Sequence, residues 1–489
     1  MSISASSTGD MSRRQFVRAL STVGVAAAVA SGTTVAYASE AKDASVSARA
    51  LGDADVNFSQ EVDVLICGAG ISGMMASLDP ATAGLSTLIV EQNGFYGGDT
   101  IYSAACMMCN TAKLTQEERP EKYSTIEELR ERFAPYYKDN EKGLDKLMQL
   151  QEWGGKFMDK LHYEWGYEFQ PKMEGPYQQA FFPKGGICTM PDAFELMDEK
   201  IAEAGATYLY DTTLKTLIAD ESGTVVGARF VGKDGSLVDI KARAVVLACG
   251  GYASNQEWMT AYAPDTADLG CIVSGRTGEG IKAGLAAGGV LEGMASPGNL
   301  NPRYEAGHML GMHYPILGLL PNGKRFYCET AVHDAATGCL NNGWHEWWSV
   351  WDNTAQNGVD QEVIKHAGEN IKTAATVEEL AEGMGMAVET VQAALDNWAS
   401  ICEKGEDADF GRKLFLQPLE PPFYYLLNVP VRYKSVGGLS VSDRYEVVDA
   451  DGAPIPGLYA CGCTAGTTDI VPAAGSGMIV GASVAEDLA

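Results

Sequence analysis

The chain has 489 residues, enough for two or three domains with large cores. It carries 64 Asp and Glu against 36 Lys and Arg, a formal net charge of -28 at pH 7. This charge opposes binding to nucleic acids and to anionic membranes, so neither is expected as a partner.

The N-terminal segment has the pattern of an export signal. Arg13 and Arg14 precede an Ala- and Val-rich apolar stretch, and a small-x-small cleavage site ends at Ala38. We therefore predict that residues 1–38 are a twin-arginine signal, which delivers a folded protein to the periplasm or the extracytoplasmic face of the cell membrane. A membrane anchor is the alternative, but Ser, Thr and Gly residues dilute the stretch and disfavour it.

A nucleotide-binding unit follows the signal. The apolar run "VDVLI" predicts a buried strand, and Gly68, Gly70 and Gly73 come at the turn where a helix begins. A second strand, "STLIVE", ends at Glu91, at the spacing where an acidic side chain receives ribose hydroxyls. The pattern predicts a βαβ unit that binds a dinucleotide.

The crossover helix of this unit contains a proline. Pro80 follows Asp79, and an interior proline costs a helix about 3 kcal/mol. We expect the helix to kink or to end near Asp79. The end that would bind phosphate is unaffected.

The eleven cysteines do not predict a disulfide framework, because their number is odd. Cys67 and Cys249 end apolar runs, where a thiol behaves as a small buried hydrophobe. Cys106 and Cys109 form "CMMC" without the histidine of a haem attachment site. Two buried thiols are favoured there over a redox or metal pair, and no metal site is predicted.

Later motifs identify the cofactor. In order they are "EQNGFYGGDTIYSAA", "AVVLACGGYASN", "IPGLYACGCTAG" and "PAAGSGMIVGASVAEDLA". From about Val62 onward the sequence resembles the FAD-dependent family that includes flavocytochrome c-type fumarate reductases, urocanate reductases and 3-ketosteroid dehydrogenases. The resemblance implies bound FAD and disfavours a simple NAD dehydrogenase.

The resemblance also implies which residues bind FAD. It points to Gly68, Gly70, Ile71, Ser72, Gly73, Glu91, Gly97, Gly98, Asp99, Thr100, Gly250, Gly251, Cys463, Ser476, Gly477 and Met478. Asp99 stands where the family has Asn, and Cys463 where it has the Glu that binds the flavin chain. The segment ending in Met478 resembles a loop beside the isoalloxazine ring. Arg276 is expected to satisfy only a nearby backbone or phosphate group.

The implied architecture is α/β, with a Rossmann-like FAD-binding domain assembled from two segments, residues 58–285 and 426–489. An α+β capping domain, residues 286–425, is inserted between them. Within it, "TVEELAEGMGMAVETVQAALDNWASICEKG" predicts amphipathic helices, and the alternation from Trp347 to Trp351 predicts a half-buried strand. Chemistry is expected between the cap and the flavin.

The catalytic positions depart from those of fumarate reductases. His333 takes the place of the proton-donating Arg, Lys434 replaces a substrate-binding His with Tyr433 beside it, and "VPAAGSG" lacks the terminal Arg. Fumarate is therefore not expected to be the main substrate. His333 is the first candidate acid, because imidazole titrates near neutrality, and Tyr433 is the second. A pocket-wall or solvated-loop role for His333 is the alternative.

The predicted reaction is reduction of an activated C=C bond in an unsaturated acid, lactone or enone, with hydride from flavin N5 and a proton from a side chain. A separate cytochrome-type protein is the expected electron donor. Two alternatives stay open. The same framework run in reverse is a flavin dehydrogenase of the ketosteroid type, and a non-catalytic FAD electron-transfer subunit is the less favoured one.

Overall fold

The computed structural model describes residues 50–489, except 53–54, 104–106, 139, 173–179, 187–188, 274, 297–299 and 359. The predicted signal of residues 1–38 and Cys106 lie outside the described residues. Within the described part of the chain, no helix combines the length and the apolar character needed to cross a bilayer.

Strands from both ends of the described chain form the structural centre. In chain order the strands are β1 (Phe58–Cys67), β2 (Thr87–Val90), β3 (Thr207–Leu209), β4 (Thr212–Ala219), β5 (Val225–Gly232), β6 (Leu237–Leu247), β7 (Leu291–Ser296), β8 (Leu300–Pro302), β9 (Leu317–Leu319), β10 (Trp347–Trp351), β11 (Lys372–Ala374), β12 (Phe423–Asn428), β13 (Pro430–Arg432), β14 (Val436–Leu439), β15 (Glu446–Val448) and β16 (Pro454–Ala460).

Helices surround these strands and account for much of the intervening chain. They are α1 (Ile71–Thr82), α2 (Lys113–Glu118), α3 (Ile126–Phe133), α4 (Glu141–Asp159), α5 (Met190–Ala204), α6 (Gln256–Tyr262), α7 (Glu279–Ala286), α8 (Ala306–Met309), α9 (Ala335–Asn341), α10 (Asn353–Gln356), α11 (Gln361–Ala367), α12 (Val377–Met384), α13 (Val388–Lys404) and α14 (Ile470–Leu488).

The main sheet has eight strands and is mixed. Its order is β15-β16-β6-β1-β2-β3, and β5 also pairs with β6 and carries β4. The pairs at the centre, β6 with β1 and β1 with β2, are parallel, as the predicted βαβ unit requires. Val64, Leu65 and Ile66 of β1 are completely buried, because a central parallel strand is covered on both faces.

The crossover helix α1 differs from the expectation in where it ends. It contains Pro80 and continues to Thr82, three residues beyond Asp79. Pro80 lies in the last turn, so its missing N–H removes one hydrogen bond without breaking the helix. The backbone N–H of Ala83 still donates to the carbonyl of Asp79 at 2.9 Å.

A second, antiparallel sheet belongs to the inserted segment, in the order β11-β12-β10-β9. The predicted tryptophan strand is confirmed as β10, although four of its five residues are buried and not alternate ones as expected. The predicted amphipathic helices are confirmed as α12 and α13. Trp347 and Trp351 are fully buried, so they serve the core.

The predicted domain boundaries remain predictions. The first boundary, between residues 285 and 286, falls inside the last turn of α7, which ends at Ala286. The second boundary, between residues 425 and 426, falls inside β12, which pairs with β10 through Asn428. Two short sheets, β7 with β14 and β8 with β13, then connect the inserted segment to the C-terminal one.

Candidate active site

The glycine-rich turn after β1 is shaped by close backbone contacts. Gly68 has a φ of 113°, and a Cβ there would lie 2.3 Å from the carbonyl oxygen of Ala248. A Cβ on Gly73 would lie 2.0 Å from the carbonyl oxygen of Gly68. Only glycine fits at these two positions, which bring α1 against the end of the sheet.

Gly70, unlike Gly68 and Gly73, has free space on the side where a side chain would lie. A Cβ there would meet nothing closer than the Cα of Gly98, at 4.0 Å, so this position faces open space. Gly70 is the N-cap of α1, and no side chain caps the helix. The first N–H groups of a 12-residue helix therefore point into a cavity with their partial positive charge.

Glu91 lies at the carboxyl end of β2 and is buried, with 5% exposure. One carboxylate oxygen accepts from the backbone N–H of Ala69 at 2.9 Å, and the other accepts from the backbone and side chain of Asn93. These donors fix the carboxylate beside the glycine turn. It lines the same cavity as Gly68 and Gly70.

Asp99 and Arg276 form an ion pair at this cavity. The Nη2 and Nε atoms of Arg276 lie 2.7 and 2.8 Å from Oδ1 of Asp99. The Arg276 side chain also lies against Gly250, whose added Cβ would be 3.2 Å from its Cδ. Arg276 thus does more than the sequence predicted, since it neutralises the acid that stands where the family has Asn.

Ten of the residues predicted to bind FAD line this one cavity. They are Gly68, Gly70, Ile71, Ser72, Glu91, Gly98, Asp99, Thr100, Gly250 and Cys463. Burial raises the pKa of the Cys463 thiol to about 12, so it is neutral. Sequence reasoning missed Thr212, Thr213, Leu214 and Phe230, which line the cavity from β4 and β5 and carry no local motif.

The other predicted residues lie behind the cavity wall. Gly73 packs as described above, and a Cβ on Gly97 would lie 2.7 Å from the side chain of Ile101. A Cβ on Gly251 would lie 2.4 Å from Oγ of Ser435. These glycines make close packing possible and are not cavity-lining residues.

The segment that resembled a flavin-side loop is helical, which corrects that expectation. Ser476, Gly477 and Met478 are the seventh to ninth residues of α14, which begins at Ile470, and lie in its second and third turns. A Cβ on Gly477 would lie 2.1 Å from the carbonyl oxygen of Ser72, so α14 packs directly on α1. Ser476 is fully buried and accepts from the backbone N–H of Gly462 at 3.0 Å.

The predicted catalytic residues come together near the N-terminus of α14. Lys434 forms an ion pair with Asp469, the N-cap residue of that helix. His333 lies close enough for the charges of Lys434 and Asp469 to act on its imidazole. Tyr433 lies within electrostatic reach of Asp469 and of Asp99, which lines the cavity described above.

The ionisation of His333 differs from the expectation. More than a third of the surface of His333 is accessible, but many protein atoms surround the ring and desolvate it. This burial and the charge of Lys434 lower the pKa of His333 to about 4. The imidazole is neutral near pH 7 and does not titrate there.

The pKa of Tyr433 is shifted in the opposite direction to that of His333. Burial raises the pKa of its phenol above the usual range, and the charges of Glu305 and Asp469 add to the effect. The phenol therefore keeps its proton. Sequence reasoning missed Glu305 and Asp469. Burial raises the pKa of Glu305 to about 7, which makes it an acid that titrates near neutrality.

Within the described residues, neither the cysteines nor a group of metal-binding side chains forms a second candidate site. Cys109 is buried and lies 3.4 Å from the carbonyl oxygen of Gln151, and burial raises the pKa of its thiol. The part of the chain that the structure describes contains no cluster of three or more His, Cys, Asp or Glu side chains arranged to hold a metal.

The cavity suits FAD on three observations. Gly70 leaves open space where a side chain would block a diphosphate, the uncapped N-terminus of α1 offers N–H donors, and Glu91 is held at the end of β2. A model of the FAD binding domain family matches residues 63–478. The chain belongs to this family.

As an FAD-binding flavoprotein, the chain is an FAD-dependent oxidoreductase, and the predicted family and cofactor are confirmed. It is 26% identical to urocanate reductase of Eggerthella lenta over an alignment of 447 residues. This alignment covers 86% of this chain and 72% of that protein. It is 26% identical over 538 residues to digoxin reductase of the same organism, covering 93% of this chain and 91% of that one.

Solved structures agree with the predicted α/β fold. The flavoprotein is similar to the open conformation of a flavocytochrome c3 fumarate reductase, with a TM-score of 0.71 and 22% identity. That match covers 88% of this chain and 79% of the other. The fold is therefore confirmed, while the assignment of individual residues to FAD and catalysis stays a prediction.

Proposed function

We propose that this flavoprotein reduces a carbon–carbon double bond conjugated to a carbonyl group. The observation that carries the proposal is the convergence of a protonated phenol, Tyr433, and a neutral imidazole, His333, with the Lys434–Asp469 pair beside the cavity that suits FAD. The substrates in the names of the relatives, urocanate, digoxin and fumarate, all contain such a bond.

The cofactor end of the site performs binding and orientation. The N–H groups at the start of α1 bind the diphosphate, Glu91 receives the ribose hydroxyls, and Arg276 keeps Asp99 paired. Bound FAD, in its reduced form, would supply a hydride, which is the electron pair with one of the two hydrogens that the double bond gains, and a side chain would supply the other hydrogen as a proton.

The substrate end supplies the proton and stabilises the charge that develops on the carbonyl oxygen. Tyr433 is the proposed donor, from its Oη atom to the α-carbon, because its raised pKa keeps it protonated. The neutral imidazole of His333 keeps one ring N–H, which is proposed to donate a hydrogen bond to the carbonyl oxygen. Tyr433 thus becomes the first candidate for the acid and His333 the second, which reverses the order predicted from the sequence.

The supply of electrons and the cellular location are also proposals. A separate cytochrome-type protein is the proposed donor, supported by the similarity to a flavocytochrome, in which the two functions occur together. The twin-arginine pattern of residues 1–38 supports export to the extracytoplasmic side of the cell membrane.

The test is reoxidation of the enzyme. The FAD-loaded protein is reduced without oxygen and mixed with unsaturated acids, esters, lactones and enones, and the products are analysed. Rapid reoxidation with recovery of a saturated product is expected, and fumarate should be much slower than the best acceptor. Bleaching of the oxidised enzyme by a saturated ketone, with no acceptor reduced, would instead support the dehydrogenase direction.

A further inference from the structure

Two ion pairs account for the cations named at this site. The ammonium of Lys434 is paired with Asp469, and the Lys434 side chain is only 10% exposed. The guanidinium of Arg276 is paired with Asp99, and its side chain is 11% exposed. Each positive charge therefore already has a carboxylate partner inside the protein.

The carboxylate of Asp469 bonds Lys434 and does not cap the helix that follows it. Asp469 is the N-cap residue of α14, where an acidic side chain ordinarily accepts a hydrogen bond from the helix. Here it makes no capping hydrogen bond, and its backbone has a φ of 71°, a region that non-glycine residues rarely adopt. The side chain instead bonds Lys434, and Thr468 Oγ1 lies 3.4 Å from its Oδ2.

Within the described residues, the groups that act on His333 and Tyr433 add no positive charge beyond that of Lys434. His333 is neutral near pH 7 because its pKa is lowered to about 4. Glu305 and Asp469 act on Tyr433 with negative charge. A substrate carboxylate that bound beside these residues would lose part of its hydration and would find Lys434 and Arg276 already paired.

We propose that the Lys434–Asp469 pair makes this site selective for an uncharged conjugated carbonyl compound, a ketone, ester or lactone, over the corresponding carboxylate. The inference rests on the proposed function and narrows it. A neutral carbonyl oxygen needs hydrogen-bond donors and no free cation, which is what the paired site offers.

The experiment compares matched acids and esters. The FAD-loaded, reduced protein is mixed with cinnamate and with methyl cinnamate, and with crotonate and methyl crotonate, and kcat/KM is measured for each from reoxidation. Saturated 3-phenylpropanoate and its methyl ester, which cannot be reduced, are used as competitors to measure binding alone. Wild type is expected to bind and reduce the esters at least tenfold better than the acids.

Since esters are intrinsically more reactive than carboxylates, a variant isolates the contribution of the protein. Asp469→Asn keeps the shape of the side chain and frees the charge of Lys434. The ester-to-acid ratios of both kcat/KM and inhibition should fall by about tenfold. The double variant Lys434→Gln/Asp469→Asn, which has neither charge, should restore the ester preference. Asp451→Asn, in an exposed turn, should leave the ratios unchanged.

The outcomes separate the two proposals. Equal binding of acid and ester by wild type, or unchanged ratios in Asp469→Asn, would overturn the selectivity while leaving C=C reduction intact. No reduction of these pairs or of any lactone or enone in the panel described above would overturn the proposed function itself. If Asp469→Asn does not retain FAD, the wild-type inhibition ratio and Asp469→Ser, which keeps a polar group at the helix start, provide the same test.

Discussion

Arg276 places two nitrogens, Nη2 and Nε, within 2.8 Å of a single oxygen of Asp99, although the residues are 177 positions apart in the sequence. The pair lies at the wall of the cavity that suits FAD, next to Gly98 and Gly250. The guanidinium of Arg276 neutralises the charge of Asp99 at this wall. An anionic cofactor bound in the cavity would therefore not face an unpaired aspartate.

Removing the cation should weaken FAD binding. In Arg276→Met, Asp99 faces the cavity without a partner, and we expect the Kd for FAD to rise roughly tenfold. Titration of the apoprotein with FAD, followed by flavin fluorescence, measures this. The double variant Arg276→Met/Asp99→Asn should recover most of the affinity. Arg243→Met removes the exposed pair with Asp63 and should change nothing; an equal loss in both single variants would contradict the prediction.

Loss of the phenol should slow turnover without affecting the cofactor. In Tyr433→Phe, we expect kcat with the best acceptor to fall by about 10²–10⁴, the usual contribution of a general acid. FAD content and the rate of flavin reduction by a chemical reductant should match wild type. Tyr424→Phe, which removes an exposed hydroxyl that bonds Asn353, is the control. An unchanged kcat in Tyr433→Phe would exclude Tyr433 as the proton donor.

The buried acid Glu305 should make stability depend on pH. Its pKa is raised from 4.5 to about 7 in the folded protein, so the unfolded chain releases this proton at lower pH. The stability it contributes is complete below about pH 4.5 and is lost as pH rises through about 7, by at most about 3 kcal/mol. Relative to wild type, Glu305→Gln should be more stable at pH 8 and similar at pH 4.5.

Chemical unfolding at several pH values, without added FAD, measures this effect. Glu221→Gln, at an exposed position, should leave the wild-type pH dependence intact. A constant difference in unfolding free energy between Glu305→Gln and wild type from pH 4.5 to 8 would show that Glu305 does not titrate in this range.

Close packing of α14 on α1 should be sensitive to one methyl group. A Cβ on Gly477 would lie 2.1 Å from the backbone oxygen of Ser72, which cannot rotate away. We expect Gly477→Ala to cost about 1–3 kcal/mol of stability and to lower FAD content, because the helices must separate. Thermal unfolding with flavin quantification tests this. Gly270→Ala, whose Cβ would meet only Val431 at 3.9 Å, should behave like wild type.

Export should depend on the arginine pair. Replacing Arg13 and Arg14 by Lys is expected to retain the protein in the cytoplasm with its signal uncleaved. Cell fractionation and the mass of the N-terminal peptide report both effects. Arg18→Lys conserves charge near the same segment and should leave export intact. Normal processing of the paired variant would contradict the twin-arginine assignment.

The sequence predicted what depends on local sterics and missed what depends on distant contacts. The glycine turn and Glu91 were recognisable because a tight turn, a helix and a second strand follow one another over the 24 residues from Gly68 to Glu91. The segment ending in Met478 was expected to be a loop only from its resemblance to the family. It is helical, because Pro472 lies in the first turn, where no hydrogen-bond donor is needed, and Gly477 allows the close helix contact. The lowered pKa of His333 depends on burial, which no local motif encodes.

The order of the strands also dictates the order in which the protein can be completed. β16 pairs with β6, and α14 packs on α1, yet the whole inserted segment is synthesised between those partners. Until the last of these elements is synthesised, β6 and α1 lack these packing partners. The cavity that suits FAD is likewise incomplete until then, because Cys463 and Ala473 line it. A chain stalled inside the inserted segment would expose β6 and α1 to chaperones and proteases.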